Sequence, residues 1–294
     1  MLGLALAAVL TAGFAACDKE NEETSASTEN NVGANGGGNG GGTDTLSCTT
    51  TYGDTTASAP GSFSWYGTEY TGSGDYTHTL TNAGGCDSVL SLHLTITAPV
   101  PDGFVDLGLP SGLLWAECNL GAASPEGYGN YYAWGETAPK STYNWDTYRY
   151  ANGSYLTKYC SYYSYGYNGY TDALTTLEAI DDAATQALGS GARTPTKAEW
   201  EELITNTTDT WTTLNGVYGH KFTAPNGASL FLPAAGGRDG SSLYNAGLSG
   251  LYWSSSLDTD PYGAWSFYCG LGGRCMYDNN RYCGRSVRPV RSAR

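Results

Sequence analysis

One stretch, RTPTKAEWEELI at residues 193 to 204, carries a complete helix-start signature, and the scarcity of such signatures elsewhere is what most constrains the fold. Thr196 and Glu199 have the spacing of a capping box, with Pro195 just before it. Trp200, Leu203 and Ile204 then fall on one helical face, so the helix is expected to lie against a core. A second stretch, TLEAIDDAATQAL at residues 176 to 188, predicts another helix with Leu177, Ile180 and Ala184 facing inward. Nearly everything else between 103 and 294 reads as short strand and loop, including GLLWAECNLG, ASLFLPAAG and GLYWSSS. Two helices in a long irregular β-rich chain predict an α+β fold whose main surface is loops.

The N-terminus, MLGLALAAVLTAGFAACDKE, opens on an apolar run of signal-peptide length, too short for a membrane span. Small residues lead into Cys17 as FAAC, which resembles a bacterial lipobox. That resemblance implies a leader over 1–16 and lipidation of Cys17. Residues 17–43 run through DKENEE to GANGGGNGGG and offer nothing that could support a core, so they read as an acidic, glycine-rich tether. The acidic run after the cysteine is similar to the surface-export signal of Bacteroidota-type lipoproteins. It implies an outer-membrane lipoprotein facing outward, touching the membrane only through the lipid on Cys17.

Residues 44–98 read as a small all-β domain. SVLSLHLTIT alternates apolar and polar positions, with Val89, Leu90, Leu92, Leu94 and Ile96 prominent. Cys48 and Cys86 flank the segment, and a disulfide between them would compensate for a thin core in an exported unit. The segment resembles a short β-repeat of secreted Bacteroidota proteins, which implies a spacer. TAPVPDG, at 97–103, is the expected boundary.

From 103 onward six ordered blocks stand out: FVDLGLPSGLLWAECNLGA, YYAWGETAPKSTYNW, RTPTKAEWEELI, FLPAAGGRDGSSLYNAG, GLYWSSS and GRSVRPV. Together they resemble the Fibrobacter succinogenes major paralogous domain. The resemblance implies a C-type-lectin-like domain with two helices and short irregular strands, as in formylglycine-generating enzymes and the variable proteins of diversity-generating retroelements. In those variable proteins a C-terminal segment displays diversified side chains that bind ligand.

Composition narrows the chemistry. A net charge of −14 excludes nucleic acid as an expected partner, because phosphate binding needs a basic face. The late arginines, Arg274, Arg281, Arg285, Arg288, Arg291 and Arg294, read equally as core-anchoring ion pairs or an anion site. Cys269, Cys275 and Cys283 lack C-x-x-C spacing, and His78, His93 and His220 are scattered, with His220 read as structural or solvent-facing. Asp258, Asp260, Asp278, Asn279 and Asn280 read as turn caps rather than calcium ligands. Glu117, Glu126, Glu136, Asp181 and Asp182 show no pairing that would serve hydrolysis. No catalytic residue, metal or cofactor is expected. The C-terminal thiols are expected to pair with one another, and Cys160 with Cys118 or one of them.

What remains is binding. Leu251, Asp258, Tyr262, Ser266, Tyr268, Gly270, Arg274, Cys275, Tyr277, Asp278, Asn279, Tyr282, Cys283 and Arg285 are the candidate ligand-binding residues, a vocabulary typical of adaptable paratopes. A second patch, SYLTKYCSYYSYGYNGYTD at 154–172, adds an aromatic surface that suits sugar rings and protein partners alike. The expected function is a surface lipoprotein binding a glycan or a surface protein through C-terminal loops, with retroelement diversification implied by the resemblance. The alternatives are a structural or adhesin component with a fixed partner subunit, and a formylglycine-generating-type oxidase.

Overall fold

A computed structural model of the chain describes residues 49–81, 85–97 and 100–293. They fall into two compact units that part between Pro99 and Val100. Cys17, Cys48, the leader and the tether lie outside the described residues.

The first unit holds β1 (Thr51–Pro60), β2 (Phe63–Trp65), β3 (Thr68–Tyr70), β4 (Gly74–Thr81) and β5 (Asp87–Thr97). β5 lies between β1, which it pairs in parallel, and β4, which it pairs antiparallel. Its period-two pattern buries Leu92 and Leu94 completely or nearly so, as the alternation predicts. Tyr66 stacks on His78 at 4.3 Å, and Cys86 is buried.

The second unit runs β6 (Phe104–Asp106), β7 (Leu113–Ala116), β8 (Ala151–Asn152), β9 (Tyr155–Leu156), α1 (Ala183–Leu188), β10 (Ala192–Arg193) and α2 (Lys197–Asn206). It continues through β11 (Thr208–Leu214), β12 (Val217–Thr223), β13 (Ser229–Pro233), β14 (Gly237–Asp239), β15 (Ser242–Tyr244), β16 (Ser249–Leu257), β17 (Gly263–Gly270), β18 (Gly273–Asn280) and β19 (Val290–Ser292). β16–β17–β18 and β11–β12–β13 are antiparallel meanders, and β19 is inserted between β10 and β7.

The α+β, C-type-lectin-like expectation is corrected here. Strands make up 45% of the structure and helix only 11%, spread over many small sheets. Nothing identifies a C-type-lectin-like domain, although the short irregular strands agree with part of that expectation. The helix over 193–204 forms as its cap dictates: the Thr196 hydroxyl accepts from the Glu199 amide, and the Glu199 carboxylate accepts from the Thr196 amide at 2.7 Å. The helix over 176–188 shrinks to one 3-10 turn at Ala179–Asp181 and the short α1. Asp182 is the reason, since it sits in extended conformation and caps Ala184 and Thr185, which breaks the run. Ile180, expected inside, is 61% exposed.

Two aromatic cores flank the β16–β17–β18 sheet. Neighbouring residues of a strand face opposite sides, so Tyr252, Phe267 and Cys269 enter one core and Trp253 and Ala264 the other. In the first, Trp200 of α2 stacks on Phe267 at 4.7 Å and meets Trp115 edge-on. In the second, Trp134 and Trp253 donate to the carbonyls of Ser254 and Tyr132, which satisfies polar edges that burial would otherwise strand.

Candidate functional site

The expected C-terminal loops are strands. Residues paired across antiparallel strands share a face, and the register aligns Leu251 with Tyr268 and Cys275, and Ser266 with Tyr277. Asn279, two places beyond Tyr277, joins them. Six candidates therefore share one sheet face, whereas Arg274 and Asp278 lie on the opposite one. That shared face is not uniformly open: Leu251 and Ser266 are buried, Tyr268, Cys275 and Asn279 half-buried, and Tyr277 exposed. Gly270, Cys283 and Arg285 are buried as well, so these and the two buried strand residues build framework and present no surface for a ligand. Asp258, Tyr262, Arg274 and Tyr282 are half-buried and Asp278 is exposed.

The polar residues beneath this face are tied together. Arg285 donates to the Asn279 side-chain oxygen at 2.5 Å, Asn279 donates to the Ser266 hydroxyl, and Ser266 donates to the Tyr277 carbonyl. Arg285 also lies against the Trp253 and Tyr244 rings. Arg281 and Arg288 are equally buried and spend their guanidinium groups on carbonyls: Gly263, Pro261 and Lys158 for Arg281, and Ala116, Glu117 and Phe231 for Arg288. Among the described residues these three arginines make no ion pair, and their bonds go to carbonyl and amide oxygens. Arg274 alone among the candidates pairs with a carboxylate, Asp209, at 2.6 Å. The other Asp209 oxygen meets His220, whose remaining ring nitrogen donates to the Gly270 carbonyl. Burial acts against the Asp209 charge, but its bonds to His220 and Arg274 prevail and hold the carboxyl below its usual range. His220 is buried, which settles it as structural rather than solvent-facing.

The pairings expected among the C-terminal cysteines and for Cys160 are corrected. Cys118, Cys160, Cys269 and Cys283 are thiols. Cys269 belongs to one core and Cys283 to the other, on opposite sides of the sheet, so no bridge can join them. Burial drives the Cys269 thiol up to about 12 and raises that of Cys283, the reverse of what a nucleophilic or redox-active thiolate needs. Among the described residues no group of three or more His, Cys, Asp or Glu side chains is placed to hold a metal ion.

The tyrosine-rich segment is a built loop. Asp172 accepts from the Tyr159 and Cys160 amides and the Tyr170 hydroxyl. Asp181, buried beside it, accepts from the Tyr150 and Tyr159 hydroxyls and pairs with Lys158, which also reaches Glu178. Burial opposes both charges, yet these bonds prevail, lowering the Asp181 carboxyl and raising the Lys158 amine. At Gly166 a β-carbon would run into the Tyr170 backbone, so only glycine lets the loop close on itself. The result leaves Tyr155, Tyr162, Tyr163, Tyr165, Tyr167 and Tyr170 exposed.

This loop meets the C-terminal segment at Arg281, which donates to the Lys158 carbonyl, and at Tyr262. Tyr262 donates its hydroxyl to the Ser154 carbonyl at 2.8 Å, and its ring lies 5.4 Å from Tyr165 and 5.1 Å from Trp145. Trp145 in turn sits 5.1 Å from Tyr282. Of the candidates read from sequence, Tyr262 thus meets the tyrosine loop directly, and Tyr282 reaches Tyr262 through Trp145. Trp145 was absent from the candidates, and its only local signature is the Asn144 cap of a single 3-10 turn. Asp172 and Asp181 gave no sign in sequence of their anchoring roles.

A void and a cleft lie elsewhere among the described residues. The void, of about 10 Å³ beside Trp134 and Asp181, has room for one water, and the cleft, of about 550 Å³, lies over the β11–β12–β13 sheet, lined by Phe231, Lys221 and Glu117 among others. No family model, curated protein or solved structure matches the chain.

Proposed function

We propose that this protein is a ligand-binding protein of the cell surface, anchored through a lipid on Cys17, that recognises a glycan or a surface protein without covalent chemistry. The observation that carries the reading is the junction at Tyr262, which merges two tyrosine-rich segments remote in sequence into one aromatic surface. Tyrosine and tryptophan give large contact area at small entropic cost, so such a surface is suited to recognition. Its backing is rigid: carboxylates pin the loop, and buried arginines pin the strands. A preordered surface loses little entropy on binding. The net charge of −14 argues against nucleic acid, as does the commitment of the buried arginines to carbonyls.

The test is binding of the purified chain to a glycan panel and to intact microbial and host cells, repeated with Tyr165→Ala and Tyr162→Ala. The reading expects saturable binding that each substitution weakens several-fold while the circular dichroism spectrum stays that of the folded protein. Binding indifferent to both substitutions overturns it.

A further inference from the structure

Five rings stand in file across the junction. Tyr162, Tyr165, Tyr262, Trp145 and Tyr282 follow one another at 6.2, 5.4, 5.1 and 5.1 Å between centroids. Successive planes are turned by 75°, 83°, 68° and 69°, so no two neighbours form a flat shelf for one large aromatic ligand. The spacing is close to the length of one hexopyranose unit in an extended polysaccharide. None of the five rings lines the void beside Trp134 or the cleft over the β11–β12–β13 sheet, so the row lies apart from both.

Charge narrows the ligand further. Exposed Asp146 adjoins Trp145, exposed Asp260 precedes Tyr262 by two residues, and Asp239 bears on Tyr282. Arg281, next to Tyr282 in the chain, and Arg285, which acts on it, are buried and committed to the Pro261 and Gly263 carbonyls and to Asn279. An anionic sugar would meet these carboxylates beside the row, an unfavourable match. The Tyr262 hydroxyl is already used by the Ser154 carbonyl, whereas exposed Tyr162 and Tyr165 present theirs to solvent and to sugar hydroxyls.

Resting on the recognition reading above, we propose that this row binds a neutral, linear polysaccharide along its length, about one sugar per ring, gripping internal units rather than an end. Aromatic faces take the apolar C–H faces of the sugars, and the tyrosine hydroxyls and flanking carboxylates take their hydroxyls.

Calorimetric titration of the full chain with oligosaccharides of the cellulose, mannan and xylan types, from monosaccharide to hexasaccharide, tests the proposal. For one of these series, affinity should tighten stepwise with length and level off near the pentasaccharide. Blocking the reducing end should leave it unchanged. Tyr165→Ala should weaken the pentasaccharide about tenfold, the effect of losing one aromatic anchor. Equal affinity for monosaccharide and pentasaccharide, tighter binding of polygalacturonate or heparin, or no saturable binding of any neutral series overturns the inference. If no glycan binds but a cell-surface protein is retained through Tyr165, the glycan inference fails and the recognition reading stands. If neither Tyr162→Ala nor Tyr165→Ala alters any interaction, both fail.

Discussion

The tyrosine loop and the C-terminal frame solve one problem, fixing polar backbone beside aromatic surface, with opposite charges. The loop is held by carboxylates: Asp172 gathers amides and Asp181 gathers two phenols and Lys158. The frame is held by guanidinium groups, with Arg281, Arg285 and Arg288 buried against carbonyls and ring faces. A carboxylate can be neutralised by mild acid and an arginine cannot. The two halves of the aromatic surface should therefore come apart under different stresses.

The largest expected effect is in the frame. Arg288→Ala strands the carbonyls of Ala116, Glu117 and Phe231 in the interior, and should cost about 4 kcal/mol of global stability, read from denaturant midpoints. In the loop, Asp181→Asn leaves Lys158 with only the more exposed Glu178. It should cost about 2 kcal/mol, felt as faster amide exchange over 154–172 with residues 284–290 unchanged. An equal loss of protection in both segments would erase the contrast.

Acid should reproduce that asymmetry without mutation. The Asp181 carboxyl is held below its ordinary 3.8 in the folded protein. Its stabilisation is therefore complete above that value and is lost as pH falls through the folded one. Relative to intrinsic exchange at the same pH, amides of the loop should lose protection below pH 3.8 before those at 284–290 do. Smaller still, Tyr262→Phe keeps the ring and removes only the bond to the Ser154 carbonyl, and should cost about 1 kcal/mol.

Legibility followed the range of the interactions. The α2 cap was readable because Thr196 and Glu199 are three residues apart, and the β5 alternation because Leu92 and Leu94 repeat within one strand. The fold class was not, because the second helix signature ends at Asp182, whose capping of Ala184 outweighs the propensity around it. Among site residues, the sequence pointed to Tyr262 and Tyr282 but missed Trp145. The reason is distance: Tyr262 and Ser154 lie 108 residues apart, and no local pattern encodes that meeting. Burial misled in the opposite sense, since Ser266, Cys283 and Arg285 have paratope-like chemistry yet sit inside.

The central claim is that two segments form one surface, and a double-mutant cycle on Tyr165 and Tyr262 tests it without any ligand. Single and double alanine variants, measured by urea unfolding, should show a coupling of about 0.5–1.5 kcal/mol between the two rings. Strictly additive losses would mean that the loop and the C-terminal segment stand side by side without acting together, and would contradict the account.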